Sequence, residues 1–134
     1  MEPNPLLVLS SFAYILPAAV CYIVGYNYLS LMYTIVVLVS SCYHASKNPM
    51  ILWIDIPLAH INHIATLLNI LKGGWLSMPV YFAWLLYAVI TYYYGYRTSS
   101  LIWDPDKKRA TPWHAGLHIL TSLACAYTIY VSHM

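Results

Sequence analysis

Charge is what this sequence has least of. Of its 134 residues, six are Lys or Arg and four are Asp or Glu, 7% together, where a soluble domain carries about a quarter. That scarcity excludes an ordinary soluble fold. A net charge of +2 is too small and too localised for nucleic-acid binding, so no nucleic acid is expected as a partner. Cysteine is also scarce: Cys21, Cys42 and Cys125 all fall in apolar stretches. Their spacing suggests neither a disulfide framework nor a thiolate metal site, and they read as small buried side chains. No repeat and no low-complexity tract is present. A basic leader is missing as well: Glu2 opens the chain, and the first apolar run continues into the second without a convincing cleavage site. That first run is therefore expected to be retained.

What the chain does have is apolar length. Hydrophobic residues make up 61% of it, and five stretches approach the roughly 20 residues that cross a bilayer. They lie near Pro5–Val24, Tyr28–Ser46, Ile51–Leu71, Trp75–Tyr94 and Pro112–Ser132. The expected fold is an all-α, multi-pass membrane bundle of five transmembrane helices, one domain over residues 1–134. Gly25–Asn27, Lys47–Met50 and Lys72–Gly74 are short links, which makes sequential helices antiparallel neighbours. Gly95–Thr111 is the one long loop expected. Lys47, Arg97, Lys107, Lys108 and Arg109 fall on one side and Lys72 alone on the other. The positive-inside rule puts the former side in the cytoplasm. Tyr and Trp gather near the span ends, as interfacial belts do.

Against this background the ionisable residues inside the spans stand out, because such groups are costly in a bilayer and usually functional. Ser40 and His44 are spaced i, i+4 near the end of the second span, and Asp55 follows one turn into the third. Thr111-Pro112 reads as an N-cap followed by proline at the first helical position, placing His114 in the first turn of span five. His118 lies one turn deeper on the same face. The short turn around Pro49 brings all these residues to one depth, just inside the cytoplasmic boundary.

Three imidazoles, a carboxylate and a hydroxyl at one depth are the parts of a zinc hydrolase. His44, His114 and His118 are the expected zinc ligands, leaving a fourth position for water whose pKa falls toward about 7. Asp55 is the expected general base, and Ser40 the donor to the developing oxyanion. Taken singly, each residue also has a packing explanation: interhelical hydrogen bonds for the histidines and Ser40, a charge pair with Lys47 for Asp55. In span three, Asp55, Asn62, Thr66 and Asn69 share a stripe about 60° wide at 100° per residue. This stripe either lines a polar cavity or bonds neighbouring helices. His60 and His63 are not expected as ligands.

Ser40-Ser-Cys-Tyr-His44 followed by Asp55-Ile-Pro57, and His114-Ala-Gly-Leu-His118-Ile-Leu-Thr121, resemble the motifs of the alkaline ceramidases. These belong to a membrane hydrolase superfamily that also holds the adiponectin and progestin receptors. The resemblance covers spans two, three and five. It implies Zn2+ on His44, His114 and His118, with Ser40 and Asp55 around a water. It also implies hydrolysis of the carbon–nitrogen (amide) bond of a ceramide-like membrane lipid, and an endomembrane (ER/Golgi) location if the source is eukaryotic. Family members have seven spans and an acidic, calcium-binding N-terminal segment, of which only Glu2 has a counterpart here. Five spans imply either a smaller, more open pocket or a homodimer that supplies the missing wall. Two other functions suit the histidines: a receptor-like, non-catalytic protein with a structural zinc clamp, and haem ligation from facing helices. Haem leaves Ser40 and Asp55 at the same depth unexplained.

Overall fold

The computed structural model describes residues 3–134; Glu2 lies outside them. The described chain is all-α, and five of its helices are long and apolar enough to cross a membrane: α1 Pro5–Ile23, α2 Asn27–Ser46, α3 Pro49–Lys72, α4 Gly74–Thr98 and α5 Lys107–His133. Asn4 caps α1 with its side chain, accepting from the Leu7 amide, and Pro5 follows at the first helical position. Asn48 and Pro49 open α3 in the same way. Both starts pair an acceptor for an orphan N–H with a residue that has none to satisfy. The turns that reverse the chain use left-handed residues, Gly25 at φ 85°, Lys47 at φ 53° and Gly74 at φ 61°.

Helix α5 is the axis of the bundle. Of its most apolar window, 61% is buried, against 11% for α3 and 17% for α4. Its sequence explains this: Ala115, Thr121, Ser122, Ala124, Ala126 and Thr128 are all buried, and small side chains let neighbouring backbones come close. One core cluster joins Tyr14, Ala18 and Cys21 of α1 with Tyr33, Val36 and Val37 of α2 and Cys125 and Ile129 of α5. A smaller one joins Ile70, Trp84 and Ala124. The outer faces carry exposed Leu, Ile, Trp and Tyr throughout, the surface a lipid solvent demands.

Two helix boundaries differ from the sequence-based expectation. Helix α5 begins five residues before Pro112, with Asp106 as N-cap accepting from the Lys108 amide at 2.9 Å. Thr111 is therefore not a cap, and His114 lies two turns into the helix. Helix α4 runs on through Tyr94 as a π-helical segment, Val89–Tyr94, and ends only at Thr98. The long loop shrinks accordingly to residues 99–106. In both places charged or aromatic residues end the apolar signal while the backbone stays helical beyond it.

The polar stripe on α3 also divides. Asn62, Thr66 and Asn69 are buried, with the Thr66 hydroxyl donating to the Asn62 carbonyl and Asn69 reaching toward Cys125 Sγ at 3.9 Å. These three pack the helix. Only Asp55 lines a cavity.

Candidate metal centre

His44, His114 and His118 meet. One ring nitrogen from each lies within 4.8 Å of the others, and the ring centroids are 5.2, 5.4 and 4.8 Å apart. The antiparallel turn between α2 and α3 fixes His44 near the end of its helix. One turn of α5 separates the other two. Zinc takes imidazole nitrogens at about 2.0–2.1 Å. Such a group can hold a metal ion.

Two of the rings have polar surroundings that bear on metal binding. Ser10 Oγ donates to the Leu7 carbonyl at 3.0 Å and stands 3.0 Å from His118 Nδ1. While Ser10 keeps that bond it accepts from His118 Nδ1–H, the tautomer that leaves a lone pair at Nε2. His44 Nε2 is buried with no hydrogen-bond partner among the described residues. With Lys47 donating to Nδ1 of the same ring, this nitrogen carries the proton, which a metal ion would displace. The donor set, three neutral nitrogens, suits zinc.

Helix α1 contributes more than the sequence suggested. Its 3-10 turn at Phe12–Tyr14 accompanies a buried face of Leu7, Ser10, Ser11 and Tyr14. Ser11 shares its hydroxyl hydrogen between the Leu7 carbonyl at 2.8 Å and Ser40 Oγ at 3.1 Å. The Tyr14 ring lies 5.8 Å from His118. At the mouth, the Asn4 amide bonds the His44 carbonyl at 3.1 Å, and its side chain donates to Thr111 Oγ1 at 2.7 Å. One asparagine thus ties the His44 end of α2 to the His114 end of α5. Isolated serines in an apolar run carry no periodic signal. The one readable hint was Asn4 standing before a proline.

Ser40 and Asp55 line one cavity with His114 and His118, about 580 Å³ in volume. Asp55 is half-buried and outside the three-imidazole group. Ser40 lies beside its carboxylate. His60 and His63 line the same cavity without joining the cluster; exposed His60 bonds the Ile56 carbonyl at 2.7 Å. The π-helical segment of α4 contributes Tyr92 to this wall.

Lys47 does not pair with Asp55. Its Nζ donates to His44 Nδ1 at 3.1 Å and sits 5.0 Å from the centre of the Tyr43 ring. Burial pulls its ammonium below the usual lysine range, with Lys107 adding to the effect and Asp55 opposing it. The left-handed backbone at residue 47, with its N–H on the Tyr43 carbonyl at 2.7 Å, turns this side chain back over the site.

No family model, curated protein or solved structure matches this chain. The site therefore rests on its own geometry.

Proposed function

We propose that this chain is a multi-pass membrane protein that hydrolyses an amide bond in a lipid, as its resemblance to the alkaline ceramidases implies. The observation that carries the reading is the meeting of His44, His114 and His118 beside a cavity lined by Ser40 and Asp55. The three imidazoles would hold zinc, which when bound polarises a carbonyl and lowers the pKa of water toward about 7. Asp55 takes the proton of the attacking water, since it is the one carboxylate among the lining residues. Ser40, which accepts from Ser11, would turn its own hydrogen to the carbonyl oxygen as charge develops there. Ser10 would favour the tautomer of His118 that leaves a lone pair on Nε2. The positive-inside bias puts this end of the bundle at the cytoplasmic face.

Asp55→Asn separates the roles. It keeps the carboxylate's shape and removes its basicity, so zinc content stays at wild type while lipid-amide hydrolysis by purified protein falls about 100-fold or more. Undiminished turnover in that variant contradicts Asp55 as base. Zinc in both proteins with no lipid turned over by either points instead to a structural clamp between α2 and α5.

A further inference from the structure

The histidine cluster stands between two cavities, one lined by Asp55 and the other by two lysines. On one side is the 580 Å³ cavity, walled by apolar and aromatic residues of α2, α3 and α4 and reaching the exposed face of α3 at Ile56 and His60. On the other is a vestibule of about 420 Å³ at the end of the bundle, lined by Asn4, Lys47, Lys107 and Thr111 together with His44 and His114. Tyr43, Ile102 and His114 belong to both linings. The described lining of the vestibule contains two lysines and no carboxylate. The one ion pair among the described residues, Arg109–Asp106, lies elsewhere on the surface.

From this placement we infer that the lipid bound here carries an anionic head group, which occupies the Lys47–Lys107 vestibule while its acyl chain fills the apolar cavity. The inference rests on the hydrolase reading and names the substrate class for that site. Three observations support it. Lys47 is half-buried, and a desolvated ammonium gains more from an anion than one in water does. The vestibule lies where α2 ends and α3 and α5 begin, the level at which the head groups of a leaflet lie. Finally, each volume falls within the range of about 300–1,000 Å³ typical of small-molecule sites, and the shared lining residues place any bond at their junction beside the histidines. The phosphate or carboxylate of a membrane lipid fits the vestibule, where it meets two lysines.

Binding, rather than turnover, tests this. The Asp55→Asn protein in neutral maltoside micelles is titrated with lysophosphatidic acid and with the monoacylglycerol of the same chain. Zinc per chain is measured in every sample. Lysophosphatidic acid is expected to bind at least about tenfold more tightly. Lys107→Gln removes that preference at unchanged zinc content, and Lys47→Gly removes it with zinc held at least as tightly as in wild type. Lys107 is exposed and touches none of the histidines, so its variant reports the head group alone. Equal binding of the two lipids, or a preference that survives both substitutions, overturns the proposal. Inorganic phosphate that binds as tightly as the lipid also overturns it, because the vestibule then takes a soluble anion. Head-group preference with no hydrolysis of any lipid by wild type leaves this inference standing and removes the hydrolase reading.

Discussion

Ser10 Oγ lies 3.0 Å from His118 Nδ1 while giving its own hydrogen to the Leu7 carbonyl, also at 3.0 Å. A hydroxyl that keeps its carbonyl bond favours the Nδ1–H tautomer of the imidazole it faces, with the lone pair on Nε2. Groups of this kind orient metal ligands and raise their basicity.

Ser10→Ala should therefore weaken zinc binding by about 10- to 100-fold. The melting temperature in the metal-free state should change little, because the Leu7 carbonyl remains in a helix. Competition with a chromophoric chelator measures the affinity, and thermal unfolding in detergent serves as the control. Wild-type affinity in this variant would mean that His118 needs no partner.

Lys47 acts in the opposite sense. A charged ammonium donating to His44 Nδ1 leaves the proton on Nε2, the nitrogen that is buried and unpartnered. Zinc at Nε2 requires that contact to break. Lys47→Gly removes the contact and a nearby unit charge, so zinc affinity should rise about tenfold or more. Glycine also relieves a left-handed backbone worth about 1–2 kcal/mol, roughly offset by the greater freedom of glycine in the unfolded chain. Chelator competition again decides it: a fall in affinity contradicts the competition between lysine and metal.

Gly116 lies between the two histidines of α5. A Cβ there would collide with the Tyr87 hydroxyl, which donates to the Trp113 carbonyl at 2.8 Å and holds α4 against α5. Gly116→Ala should cost about 1–3 kcal/mol as an overpacked contact, read as a lower unfolding midpoint in a mild denaturing detergent. The histidine cluster is built by α2 and α5 rather than α4, so zinc content should survive. Loss of zinc at unchanged stability would contradict that division.

Much of this was legible in the sequence because a bilayer leaves few choices. Apolar length located all five helices, and short links made neighbours antiparallel. That alone brought His44, His114 and His118 to one end. What the sequence hid follows from the same physics. Hydropathy reads Lys107, Lys108 and Arg109 as outside the membrane but is blind to the helix that Asp106 caps there. Thr111 looked like a cap, and instead accepts from Asn4 across the bundle. Asn62, Thr66 and Asn69 share a face with Asp55, yet periodicity cannot tell a packed interface from a cavity wall. Ser10 and Ser11 gave no signal at all, because their roles depend on which carbonyl and which imidazole the fold sets beside them.

The most direct test of the whole account is the metal content of detergent-purified protein that has never met a chelator, with His118→Ala prepared in parallel. About one zinc per chain, lost in the variant while both remain helical, is the expected result. No zinc in the folded wild-type protein would contradict it and return the three histidines to the role of helix-packing groups.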